Sequence, residues 1–169
     1  MTLSRRLVGA LYRIRGAPLP DAVARAARLH FLDAVGVGLA AASAQVGAGY
    51  RGVANELAGT GAASVFGSDR TASADVAALI NGGLIHSLEY DDTHTGSIVH
   101  GSAVLAAVAL AVGQSLGGSG PQVLAAYARG WEVFVRLGLA APGAFQREGF
   151  QITSVGGTMV ANDPLPAVS

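Results

Sequence analysis

The sequence predicts an all-α protein of about six helices. Apolar residues recur at intervals of three and four over most of the chain, which is the spacing of one face of a helix. Two long segments, residues 35–44 and 103–112, are almost entirely apolar and rich in alanine. A helix that is apolar on all sides is normally a buried one. At 169 residues, the chain has the length of one domain and is long enough to bury a core.

The first part of the chain contains three predicted helices. Residues 4–15 form a short amphipathic helix that the segment "GAPLP" ends. Residues 21–43 follow a proline suited to a first helical turn, and their second half is so apolar that we expect it to be buried on all sides. His30 and Asp33 on this helix are interpreted as packing or surface residues. Residues 46–59 form the third predicted helix.

A short non-helical segment precedes the fourth helix. Residues 63–73, "ASVFGSDRTAS", are predicted to be extended and then to turn. Thr71 or Ser73 can cap the next helix, which continues through "ADVAALINGGLIHSLEYDD". Gly82 and Gly83 weaken this helix locally. Either they let another backbone come close, or they permit a bend before the charged residues, and both interpretations stay open.

Two further helices complete the prediction. Residues 102–116 form a helix of small apolar side chains, "GGSGP" interrupts the chain, and Pro121 opens the last helix. Large apolar residues recur along this helix at helical spacing, which predicts a core face rather than a cofactor site. They are Val123, Tyr127, Trp131, Phe134 and Val135.

Composition excludes several classes of function. The chain has no cysteine, so disulfides, thiolate nucleophiles and cysteine-ligated clusters are excluded. Its 11 basic and 11 acidic residues balance, which offers no basic surface to nucleic acid or to an anionic membrane. The N-terminal segment lacks a signal-peptide core, and the apolar runs are shorter than the roughly 18 residues of a membrane span. We therefore expect a cytoplasmic protein that binds neither nucleic acid nor membrane.

Residues 86–101, "HSLEYDDTHTGSIVHG", concentrate ionisable side chains. They hold three carboxylates and three of the four histidines, although only 13% of the sequence is charged. If the fourth helix continues through Thr93, then His86, Glu89 and Thr93 lie on one face. A carboxylate, a hydroxyl and an imidazole suit proton abstraction beside a substrate carboxylate. His100, at the far end of the loop, can reach them.

Other interpretations of this segment are structural or metal-binding. Asp91 and Asp92 stand at a predicted helix end, where carboxylates are commonly solvated or act as caps. His86 and Glu89 have the i, i+3 spacing of helical carboxylate–histidine metal sites. Such sites usually repeat the motif on a partner helix, and this chain has no second copy.

The sequence around this segment resembles that of a known enzyme family. The stretch "NGGLIHSLEYDDTHTGSIVHGSAVLAAVALAVGQ" is similar to the signature region of the MmgE/PrpD family, which includes 2-methylcitrate dehydratase, cis-aconitate decarboxylase and iminodisuccinate epimerase. "LPDAVARAARLHFLDAVGVGLAAA" resembles the family's second helix, and "VLAAYARGWEVFVRLGLA" resembles the helix after the signature. Order and spacing agree over about residues 5–155. A match of this length is specific for the family and much less so for one member.

The resemblance implies a fold and a chemistry. In the family, a large all-helical domain is completed by a second, α+β domain, with the active site in the cleft between them. Members move a proton at a carbon beside a carboxylate of small di- and tricarboxylates, need no metal or organic cofactor, and are commonly homodimers. The leading expectation is a hydro-lyase of the 2-methylcitrate dehydratase type. Decarboxylation and epimerisation are the alternatives within the family.

The resemblance also assigns roles to residues of the cluster. Glu89 matches an acidic active-site position that is usually aspartate, and it is expected with His100 to act as an acid/base group. Thr93 matches the threonine of the "DDT" element and is expected with His86 to position the substrate. Asp92 belongs to the same motif, and its expected role is to organise the turn at the substrate site.

Two departures from the family pattern follow the last predicted helix. Gln151 stands after "GF" where many members carry a histidine, and glutamine can hydrogen-bond a substrate carboxylate but is no general acid. Residues 1–155 are expected to be the N-terminal part of the family's helical domain, and residues 156–169 a divergent tail. We therefore expect a truncated member lacking the second domain. The alternative is a non-catalytic helical remnant or dimerisation module.

Overall fold

Six α-helices and one two-stranded sheet make up the part of the protein that the structure, a computed structural model, describes: residues 3–140, Gly143 and Arg147. The helices are α1 (Leu3–Arg15), α2 (Asp21–Ser43), α3 (Ala48–Leu57), α4 (Ala74–His86), α5 (Gly101–Ser115) and α6 (Gly120–Ala140). A 3-10 turn, Gln45–Gly47, precedes α3, and β1 (Ala63–Ser64) pairs antiparallel with β2 (Thr71–Ala72). The all-α prediction is confirmed, and the segment predicted to be extended forms the small sheet.

Helices α4 and α5 form the centre of the core and make the most extensive helix–helix contact. Helices α2 and α6 pack around this pair. The large buried side chains include Ile80, Leu84 and Ile85 of α4, Leu105 of α5, and Tyr127 and Phe134 of α6. The C-terminal end of α4 and the N-terminal end of α5 are therefore held by the best-packed part of the protein.

Helix α2 lies on one side of this core and is only partly buried. Ala34, Gly38 and Ala41 face the core, whereas Leu32 and Leu39 are 69% and 48% exposed. The prediction that the second half of this helix is buried on all sides is therefore wrong. The other helices cover one face of α2 and leave the opposite face in contact with solvent.

Gly82 and Gly83 permit close packing rather than a bend. Helix α4 continues through both glycines to His86. A Cβ atom on Gly82 would lie 2.8 Å from the carbonyl oxygen of Ala103 in α5, and one on Gly83 would lie 2.1 Å from the ring of Tyr50. Of the two open interpretations, close approach is the one that the structure supports.

The buried amide of Asn81 joins the small sheet to α4. The backbone N–H of Phe66 donates to Asn81 Oδ1 at 2.8 Å, and Asn81 Nδ2 donates to the carbonyl of Ser64 at 2.8 Å. The N–H of Ser64 donates to the side chain of Gln114 in α5, also at 2.8 Å. These three bonds satisfy backbone groups that the two-residue strands leave unpaired.

Within residues 3–140, no single helix is both long enough and apolar enough to cross a membrane. Helix α2 and the Gln45–Leu57 segment meet the two criteria only when taken together, across a bend of 84°.

We predict opposite effects on stability for two glycine-to-alanine substitutions. Gly36→Ala should stabilise the protein by roughly 0.5–1 kcal/mol, because this exposed helical glycine has open space around it and alanine favours the helix. Gly82→Ala should destabilise by roughly 1–3 kcal/mol, because the new methyl group forces α4 and α5 apart. Urea unfolding of both variants measures the difference. Equal effects would contradict the close approach of the two helices.

Candidate active site

The ionisable cluster lies where helix α4 ends and helix α5 begins. Helix α4 ends at His86, and the N–H of Glu89 donates to the carbonyl of His86 at 3.0 Å. Glu89 itself adopts a left-handed conformation with φ of 57°, so the chain cannot continue as a regular helix. The assumption of a helix through Thr93 is therefore wrong. His86, Glu89 and Thr93 do not share one helical face.

Asp91 places a buried carboxylate at the centre of the cluster. The residue is only 8% exposed. Its Oδ2 and Oδ1 atoms lie 3.0 and 3.2 Å from His86 Nδ1, and Oδ2 lies 3.8 Å from His100 Nδ1. The expectation of a solvated or helix-capping group is therefore wrong for Asp91. Its burial has to be compensated by polar partners, and the imidazole of His86 is within hydrogen-bond distance of both of its oxygens.

Thr93 and His100 are brought together at the two ends of the loop. Thr93 Oγ1 lies 3.1 Å from His100 Nδ1, and the rings of His86 and His100 lie 5.5 Å apart between centroids. His100 occupies the position immediately before α5. The loop thus returns His100 to the end of α4, as the sequence analysis expected.

Glu89 is the exposed member of the cluster. Its side chain is 77% exposed, and Oε1 lies 3.8 Å from His86 Nε2. This contact is on the ring nitrogen opposite the one that faces Asp91. His86 therefore lies between a buried and an exposed carboxylate.

Asp92 points away from Asp91 and fixes the start of α5. Its Oδ1 accepts from the backbone N–H of Ser102 at 3.1 Å, and its Oδ2 accepts from the Ser102 hydroxyl at 2.6 Å. The N–H groups in a first helical turn lack intrahelical partners, so Asp92 caps α5 from a distant position in the chain. The expected role in organising the turn agrees with these contacts.

His30, interpreted from the sequence as a packing or surface residue, contacts Asp92 of the cluster. Its Nδ1 atom lies 3.2 Å from Asp92 Oδ2, although more than half of the side chain is exposed. The pair borders an open pocket of about 290 Å³. This pocket is lined mainly by apolar residues of α2 and α6 and also by Thr93 and His94. No local pattern indicates the contact, because the two partners are far apart in sequence.

His94 belongs to the internal structure of the loop. Its N–H donates to the carbonyl of Val99 at 2.9 Å, and its Nδ1 lies 2.8 Å from the hydroxyl of Ser97. Helix α6 presses against this loop, since a Cβ on Gly138 would lie 2.6 Å from Cβ of Ser97. Through these contacts His94 holds the loop together. Gln151, a predicted substrate-binding residue, lies outside the described residues.

Three residues of the cluster have the composition of a metal site. One ligand atom from each of His86, Asp91 and His100 lies within 4.8 Å of the others. The distances of 3.0 and 3.2 Å between His86 Nδ1 and Asp91 are also those of an ordinary hydrogen bond. The pair of His86 and Asp91 therefore needs no metal ion to hold it together.

Tyr127 contacts the Ser102 hydroxyl that also binds Asp92. It is 1% exposed, and its hydroxyl lies 2.6 Å from the hydroxyl of Ser102. The ring of Phe31 meets it edge-on at 5.2 Å. Burial raises the pKa of Tyr127 to about 12, against opposing effects of the Ser102 and Trp131 hydrogen bonds. The buried phenol is therefore held in its neutral form.

We predict that stability falls at alkaline pH because of Tyr127. The unfolded chain releases this proton near pH 10 and the folded protein near pH 12, so the contribution is complete below pH 10 and lost between pH 10 and 12. The loss is on the order of 2 kcal/mol. Urea unfolding at several pH values should show a smaller alkaline decrease in Tyr127→Phe than in wild type. The exposed Tyr90→Phe serves as control, and an equal decrease in all three proteins would contradict the assignment.

Comparison with known proteins places the chain in a family. The MmgE/PrpD N-terminal domain matches residues 5–162, which is nearly the whole sequence. No curated protein matches the chain significantly. The family match covers all six helices and the entire cluster between α4 and α5. The chain is a member of the MmgE/PrpD family, with the N-terminal domain of that family over residues 5–162.

Proposed function

We propose that this chain supplies the proton-transferring part of an active site for small di- and tricarboxylates, in a lyase of the 2-methylcitrate dehydratase type. The observation that carries the proposal is the convergence of His86, Glu89, Thr93 and His100 around the buried Asp91. Membership of the MmgE/PrpD family supports the substrate class. The active form is proposed to be a homodimer without metal or organic cofactor.

Substrate binding is assigned to a hydroxyl and an imidazole. Removal of a proton beside a carboxylate pushes negative charge onto that carboxylate, and fixed donors must stabilise it. Thr93 supplies a hydroxyl, and protonated His86 presents Nε2–H on the side that Asp91 does not occupy. Asp92 holds the loop in place through Ser102. Gln151 is proposed to add an amide donor to the same carboxylate.

Proton transfer is assigned to Glu89 and His100. Glu89 is exposed at the tip of the turn, so its carboxylate is open to a substrate molecule. His100 is a quarter exposed and lies beside Thr93, which puts an imidazole next to the proposed carboxylate site. One group removes the proton from carbon, and the other donates a proton to the leaving hydroxyl group.

We predict that changing either group removes most of the activity. Glu89→Gln and His100→Ala should each lower kcat on a citrate-like substrate by about 10²- to 10⁴-fold, because a general acid or base contributes by that factor. The exposed carboxylate of Glu56 on α3 gives a matched control, and Glu56→Gln should keep the wild-type rate. Wild-type rates in Glu89→Gln and His100→Ala would remove the assignment. A folded wild-type chain without any turnover would favour the non-catalytic alternative.

Product analysis distinguishes the three reactions that this site can support. In dehydration and epimerisation a proton leaves the carbon beside a carboxylate, and then either hydroxide leaves or a proton returns to the other face. In decarboxylation CO₂ leaves instead, and a proton takes its place on carbon. We predict loss of water from a 2-methylcitrate-like acid, seen as an unsaturated product by mass spectrometry. Released CO₂ would indicate decarboxylation instead. Epimerisation of an aspartate-like substrate would invert the reacting carbon and leave the carbon skeleton intact. In D₂O, that carbon would take up deuterium.

A further inference from the structure

We propose that Asp91 is a positioning residue that sets which nitrogen of His86 faces the substrate. The inference takes its catalytic meaning from the proposed function, but it depends on geometry within the protein. Asp91 itself is buried and does not touch the substrate side of the cluster. It acts through the imidazole that covers it.

The contacts of Asp91 define the orientation of His86. Both carboxylate oxygens lie within hydrogen-bond distance of the same ring nitrogen, Nδ1, at 3.0 and 3.2 Å. A carboxylate accepts and does not donate, so the proton between the groups belongs on Nδ1. Nε2 is then the nitrogen directed to the exposed side, where Glu89 Oε1 lies at 3.8 Å.

The burial of the carboxylate makes this orientation costly to change. The Asp91 side chain is 1% exposed, whereas that of His86 is 47% exposed. If the His86 ring turned over or exchanged its proton for the other tautomer, a buried carboxylate would lose its closest donor. An ordinary surface histidine has no such constraint. Asp92 does not replace Asp91 as the acceptor for His86, because Asp92 already contacts Ser102 and His30.

Because the His86 ring is fixed, the same nitrogen, Nε2, faces the substrate whether the ring is neutral or protonated. When His86 is neutral, Nε2 offers a lone pair toward the substrate, and when it is protonated, Nε2–H donates to a substrate carboxylate. Asp91 Oδ2 also lies 3.8 Å from His100 Nδ1, whose nearer partner is Thr93 Oγ1. The buried carboxylate therefore holds His86 by hydrogen bonds and lies within ion-pair distance of His100.

The test is the tautomer of His86 in the 169-residue chain. Two-bond ¹H–¹⁵N correlation spectra of uniformly ¹⁵N-labelled protein show which ring nitrogen carries the proton, recorded at a pH where the ¹⁵N shifts show a neutral ring. We expect wild-type His86 to be the Nδ1–H form. Asp91→Leu removes the acceptor that holds the proton on Nδ1 and offers no polar atom in its place, so the signal should move toward the Nε2–H form. Glu89→Gln is the matched control, because it changes a carboxylate on the other nitrogen and should leave the Nδ1–H form.

The outcomes separate this inference from the proposed function. An Nε2–H form of His86 in the wild-type protein overturns the inference, and this measurement needs no variant. Retention of the Nδ1–H form in a folded Asp91→Leu protein overturns it as well. A change of tautomer in Asp91→Leu but not in Glu89→Gln supports it, because a carboxylate that contributed only to stability would not select the tautomer. None of these results depends on turnover, so the Glu89→Gln and His100→Ala activity assays remain an independent test of the reaction.

Discussion

Two adjacent carboxylates must be satisfied inside an apolar helical protein, and the arrangement of the site depends on how this happens. Asp91 faces back to His86 at the end of α4, whereas Asp92 faces forward to Ser102 at the start of α5. A continuing helix would not allow both contacts, and the chain turns with Glu89 in a left-handed conformation. The polar pairs therefore end one helix, begin the next and bring His100 beside His86.

Small residues let the surrounding helices come close enough to support these pairs. Gly82 allows α5 to approach α4, and Gly101 allows the ring of Trp131 to lie 2.4 Å from where a Cβ would be. Gly138 similarly lets α6 contact the loop at Ser97. Because protein cores are close-packed, such contacts limit the movement of the loop that carries Thr93 and His100. The abundance of glycine and alanine thus serves the geometry of the site as well as that of the core.

The sequence predicted the helices well, because their apolar spacing and their glycine and proline boundaries are local signals. It also located the ionisable cluster, and the flanking resemblance identified the family. It did not predict the burial of Asp91, because a helix that ends at His86 rather than at Asp92 or Thr93 depends on partners in other elements. The sequence also did not predict the contact of His30 with Asp92 or the hydrogen bond between Ser102 and Tyr127. They join residues of α2, the loop and α6 that have no relation in sequence.

The central claim is that residues 86–101 form a site for small carboxylates. The most direct measurement is a titration of the ¹⁵N-labelled chain with citrate, followed by the amide and imidazole signals, with sulfate as an anion control. We expect saturable shifts centred on His86, Thr93 and His100 with citrate, and much weaker ones with sulfate. Saturable citrate shifts centred on another part of the protein, or no shifts within residues 86–101, would contradict it.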